Sequence, residues 1–235
     1  MLANGHVGLA GLTENTPVAI AGLVAEIGFL GEDAAVGFAE VGGRVALMQA
    51  MIAEAGLPIL LVTGVASRGS EGGAAPAVAE AIAERVRRGR GVRVIDPATE
   101  LDPELMRLAA QRRTAATALA ASLGALRETV AEACPGLERI LDLDPPGPLV
   151  LLHRFSGANA LRMAGWDGAL AYLRDICDAP NAEAVVDRAF TAIRSCTGPD
   201  GGTERRTTDL AGDTLRAYGE RVALDHALLH RSGLG

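Results

Sequence analysis

Lysine is absent from this chain of 235 residues: every strongly basic side chain is an arginine, and the first is Arg44. With the abundance of alanine and glycine, this reflects base composition more than mechanism. Aromatic residues make up only 3% of the chain, so its core must be built mainly from Ala, Leu and Val. Cysteine is scarce as well. Cys134, Cys177 and Cys196 are odd in number and widely spaced. No two of them have the spacing of metal ligands, which leaves them expected as reduced, buried, small hydrophobes of a cytoplasmic protein. No long hydrophobic run occurs. Residues 17–30 are apolar but carry Glu26 and two glycines, and fall short of the ~20 residues a membrane helix needs. The N-terminus shows no basic region before an apolar stretch, so no signal peptide and no membrane association are expected.

What remains is enough to fold. Hydrophobic residues form 49% of the chain, which suits one large domain or two modest ones. The net charge of −7 argues against general attraction to nucleic acid. The basic charge is uneven, however: Arg85, Arg87, Arg88, Arg90 and Arg93 crowd together. One reading is a solvated helix end whose arginines offset the helix dipole. The other is an edge that grips phosphate. The residues alone do not separate the two.

Hydrophobic spacing predicts two short strands at 6–12 and 18–24. A strand–helix–strand unit follows: a strand at 36–40, a turn at Gly42-Gly43, a helix over 44–55 and a buried strand over 57–62. A glycine-rich loop spans 67–75. A helix over 76–88 begins with proline in its first turn, and a strand at 92–95 ends the α/β region near residue 96. Asp102-Pro103-Glu104 then starts a helix with a capping acid, a proline at the first position and an acid in the first turn. Its seam, Leu105, Ala109, Arg112, Ala116, Leu119, Leu123, Leu126 and Val130, advances by fours and threes like a coiled coil. Ala211, Leu215, Tyr218, Val222 and Leu229 offer a second seam, blemished by Asp225. The two are read as an antiparallel pair. Between them, 137–200 reads as an insertion of short helices. The domains expected are therefore 1–96 and 97–235.

In this order the parts resemble the DEDD-type insertion-sequence transposases, the bridge-RNA-guided recombinases. The likeness is carried by His6-Val7-Gly8-Leu9-Ala10-Gly11, by 36–64, by Arg68-Gly69-Ser70-Glu71-Gly72 and by Ala83-Glu84-Arg85-Val86-Arg87. Gln111-Arg112-Arg113, the run from Cys134 to Arg139 and the run from Leu151 to Gly165 continue it. The resemblance implies an α/β RNase H-like (RuvC-like) domain followed by an antiparallel coiled-coil hairpin with a small helical insertion. It implies DNA, and a guide RNA, as partners, and Mg²⁺ held by four acids. Here those four positions fall at Ala10, Ala39, Ala75 and Val78. Since hard divalent cations need clustered carboxylate oxygens, no cofactor is expected and strand chemistry should be impaired. The family also carries a serine nucleophile in a further domain. This sequence ends at Ser232-Gly233-Leu234-Gly235 and is expected to lack it.

The nearest substitutes for the missing acids are Glu40, Glu71 and Glu80. A displaced metal cluster is one reading. Three ordinary surface acids is the better one, because metal sites tolerate little misplacement of their ligands. Glu40 is placed on the strand face opposite Ala39. Arg112 and Arg113 join Arg85, Arg87, Arg88 and Arg90 as candidate phosphate contacts. His6, His153 and His226 are read as satisfied or exposed side chains rather than ligands, and Trp166 is read as a core anchor. The leading expectation is a transposase-like, nucleic-acid-binding protein of DNA transposition without its own catalysis. A homo-oligomer through the seam helices is expected. The rival is a non-enzymatic interaction protein whose seam helices dimerise or dock a partner. A small-molecule enzyme on a doubly wound sheet is weaker, lacking a glycine-rich phosphate fingerprint.

Overall fold

The computed structural model describes residues 13–31, 33–65, 75–140, 146–176, 181–196 and 203–234. Of these, 75% are helical, and the only sheet among them has three strands. This corrects the α/β RNase H-like expectation: the protein is mostly helical, with a small mixed sheet. The strand expected at 18–24 is helix α1, Pro17–Gly28. Its start signals outweigh its apolar run. Thr16 caps the first turn by accepting from the Ala19 N–H at 3.3 Å, and Pro17 occupies the first helical position. The strand expected at 6–12 lies outside the described residues.

Two compact units are present. The first comprises residues 1–113 and 223–235, the second residues 114–222. In the first unit, strand β1 (Val36–Phe38) pairs in parallel with β2 (Ile59–Val62), and β2 pairs antiparallel with β3 (Val92–Val94). Between β1 and β2 run a 3-10 turn, Gly43–Val45, and helix α2, Ala46–Glu54. Arg44 therefore sits in the turn rather than in the helix predicted to begin there. Helix α3, Ala75–Arg88, connects β2 to β3. Its Ile82 and Val86 lie so close over β1 that a Cβ on Gly37 would stand 2.8 and 2.9 Å from their methyl carbons. No larger residue fits there without displacement.

A four-residue helix α4, Pro97–Glu100, precedes the long α5, Pro103–Ala133. Asp102 caps α5, accepting from the Glu104 N–H at 2.9 Å. Two clusters fill this unit. In one, Ile20, Leu47, Ala50 and Met51 pack with Leu105, Leu108, Ala109 and Leu228. In the other, Phe38, Ile52, Ile59, Ile95 and Leu101 come together around the sheet. Helix α10, Glu204–Arg231, supplies Leu228 and two ion pairs to α5, Arg112–Asp225 and Arg231–Asp102. Within this unit these pairs put the two helices antiparallel.

The second unit is all helix among its described residues. It contains α6 (Pro135–Ile140), α7 (Pro146–Phe155), α8 (Ala158–Ile176) and α9 (Ala182–Ile193), with the remaining turns of α5 and α10. Gly165, at φ 72° and ψ 165°, kinks α8 between Met163 and Trp166. One cluster runs through Leu126, Val130, Leu149, Leu152, Leu161, Leu173, Val186 and Ala211. Cys134 and Cys196 are joined by a disulfide, with Cα atoms 5.5 Å apart. This corrects the expectation of reduced thiols for these two, while Cys177 lies outside the described residues: the turn after α5 and the end of α9 meet in space, which a separation of 62 residues concealed. Trp166 is also not the buried anchor expected. It is 36% exposed, and its indole N–H donates to Asp187 at 2.7 Å.

Candidate functional site

The candidate edge is the end of the sheet where β1 and β2 terminate and α3 brings its arginines. β1 stops at Phe38, so Ala39 and Glu40 lie in a bend. The alternation placing Glu40 on the opposite strand face therefore does not apply; its side chain is exposed past the strand. This bend is fastened by Gln49 of α2, which is fully buried. The Gln49 side-chain N–H donates to the Glu40 carbonyl at 2.8 Å, and its Oε1 accepts from the Gly42 N–H at 2.9 Å. One amide thus satisfies a carbonyl and an N–H that no strand partner serves.

At the neighbouring strand end, the Thr63 N–H and hydroxyl both donate to the Gly91 carbonyl, at 2.8 and 3.1 Å. Arg85 reaches from α3 to donate to the Thr63 carbonyl at 2.7 Å. Arg85 is thus a brace between α3 and β2 rather than a free phosphate ligand. Arg87 grips Glu84 with two hydrogen bonds, at 2.8 and 2.7 Å, and Arg88 reaches the same carboxylate at 2.5 Å. The hydrogen bond from Arg87, aided by the charges of Arg87 and Arg88, holds the Glu84 carboxyl below the usual carboxylate range. Arg93 pairs with Glu100 in the same bidentate way, at 2.7 and 2.5 Å. That leaves the outer part of this edge to Arg88, whose side chain is 57% exposed, and to the exposed Arg90.

The arginines of α5 stand elsewhere. Arg112 is buried, and its Nε donates to Asp225 at 2.6 Å. Arg113 donates to the Glu54 carbonyl at 2.5 Å and is half-exposed or more. Of the four positions where the resemblance implies acids, Ala39 follows β1 and Ala75 opens α3. Val78 lies on the α3 stripe of Ile82 and Val86, one turn earlier. Ala10 lies outside the described residues, as does Glu71; Glu80 is exposed on α3. Among the described residues, no group of three His, Cys, Asp or Glu side chains could hold a metal ion. His153 donates its Nδ1–H to the Thr208 carbonyl at 3.1 Å, and His226 is exposed. No helix among the described residues is long and apolar enough to cross a membrane.

Sequence reasoning missed two buried polar devices here. Gln49 was visible as the one amide inside Ala46–Glu54, a helix otherwise apolar up to its last residue. Asp225 was visible as an acid in one seam while Arg112 occupied the other. Opposite charges in two facing seams signal a pair rather than a flaw. Compared with protein-family models, curated proteins and solved structures, the chain matches none.

Proposed function

We infer that this chain is a transposase-like protein that binds nucleic acid without cutting it. The reading rests on the ordered motif likeness and on the apolar residues at Ala10, Ala39, Ala75 and Val78. The observation that carries the binding part is the turn after α3, where Arg88 and Arg90 flank Gly89 on the solvent side of a helix end. The exposed Arg90, and Arg88 if it exchanges its Glu84 partner for phosphate, suit phosphates of a DNA or a guide RNA. Arg85, Arg87 and Arg112 hold the protein together and are assigned no contact.

The test is binding of duplex and single-stranded DNA, and of RNA, across salt concentrations. Each phosphate contact adds about 0.9 to the steepness of log K against log salt on duplex DNA. Replacing Arg88 and Arg90 with alanine should flatten that slope by nearly two. Binding that ignores salt, or robust Mg²⁺-dependent cleavage, would overturn the reading.

A second reading, an interaction protein, is favoured by α1 and the turn after it. Phe29 is 91% exposed, and Leu30 and Val18 are more than half exposed. Seam residues Leu105, Ala109, Leu126 and Val130 are buried within the chain, so a homo-oligomer would use other faces. Light scattering after size exclusion distinguishes it: a tight dimer free of nucleic acid supports this reading over the first.

A further inference from the structure

We propose that Cys134 and Cys196 form a redox clasp, closed by a small-molecule disulfide and opened by thiols, that fastens the four-helix insertion. Cys134 follows the last turn of α5, and Cys196 follows the end of α9. Three features place these ends independently of the sulfur bond, the first at the Cys196 end alone. Arg162 of α8 donates to the Ile193 carbonyl at 2.6 Å and also to the Cys196 carbonyl. Gly136 lets the start of α6 approach the end of α9: a Cβ there would stand 2.7 Å from the Ser195 hydroxyl and 3.1 Å from the Ala192 carbonyl oxygen. Both sulfurs also lie in the apolar cluster of Leu126, Val130, Leu137 and Ile193.

The open state is accommodated too. The Cys196 Sγ is 3.6 Å from the Ala192 carbonyl oxygen, so a thiol there has an acceptor, and Cys134 becomes a small apolar side chain. Cys196 is 8% exposed against 2% for Cys134, which makes it the first point of exchange. Its thiolate attacks one sulfur of the small disulfide, forming a mixed disulfide and releasing one thiolate. The Cys134 thiolate then attacks the Cys196 sulfur and expels the second. The protein gives up two electrons and two thiol protons, and the small disulfide becomes two thiols.

The full chain is equilibrated with glutathione disulfide or with dithiothreitol, then mapped by non-reducing digestion and followed by thermal unfolding. The disulfide-treated chain should yield one linked peptide pair containing Cys134 and Cys196. It should unfold roughly 10 °C above the reduced chain. Cys196→Ala should abolish the response to reductant, whereas Cys177→Ser should leave it intact. If Cys196→Ala fails to fold, the wild-type map and melting shift decide alone. Alkylation of all three cysteines after disulfide treatment, a link through Cys177, or equal melting in both states overturns the proposal.

Discussion

Removing either half of the Arg112–Asp225 pair should be the most damaging polar substitution in the first unit. The two side chains are 8% and 11% exposed and meet at 2.6 Å. Neither end can recover its lost partner from water without opening the packing between α5 and α10. Asp225→Ala would leave a guanidinium buried without its countercharge, and Arg112→Ala a buried carboxylate. Breaking a buried pair from one side costs about 3–5 kcal/mol. For a chain of this size that lowers the melting temperature by roughly 6–20 °C. Replacing both at once, Arg112→Met with Asp225→Leu, removes the desolvated charges together and should be near neutral or stabilising. Glu54→Gln is the control. Its carboxylate lies 3.7 Å from the exposed Arg113, while the backbone carbonyl keeps the shorter bond. That change should cost under about 1 kcal/mol. Denaturant unfolding of the four variants, followed by circular dichroism, gives the comparison. If the single changes cost no more than Glu54→Gln, or the double change costs the sum of the singles, the pair is not a buried unit and the reasoning fails.

Gly37→Ala should destabilise by about 1–3 kcal/mol through the clash with Ile82 and Val86; Ile82→Ala in the same chain should recover part of that loss, as measured by the denaturant midpoint. Gln49→Leu should cost about 1–3 kcal/mol, because it strands the Glu40 carbonyl and the Gly42 N–H; hydrogen exchange at Gly42 should speed up. Asp102 is held below its ordinary range by the Glu104 N–H, with Arg231 adding to the effect. A depressed carboxyl contributes stability that is present above the unfolded value near ~3.9 and lost as pH falls through the folded value. Asp102→Asn should flatten the acid limb of a stability–pH curve; a limb unchanged by the substitution would refute that role.

Local signals were legible wherever the residues themselves impose geometry. The apolar run ending in Val62 is too short for a helix between its glycine turns, and its last four residues form β2, with Ile59 and Val62 buried. Asp102-Pro103-Glu104 starts α5 where it should. The kink at Gly165 falls between two short helices that the sequence predicts at 158–163 and 166–174. Val18 to Val24 misled because an apolar run without clear alternation does not distinguish strand from helix. The Thr16-Pro17 start signal is the deciding feature. The arginine cluster misled differently. Side-chain pairing is set by three-dimensional neighbours, so Arg85 bracing Thr63 and Arg93 gripping Glu100 cannot be read from charge counts. The Cys134–Cys196 bond depends on α6 to α9 folding back on themselves, which no spacing rule encodes.

The bond between Cys134 and Cys196 also makes the insertion a covalent ring. A protease that cuts the backbone once, anywhere between those residues, severs the strand but does not release a fragment. The nicked protein would migrate as one molecule until a reductant is added, and only then part in two.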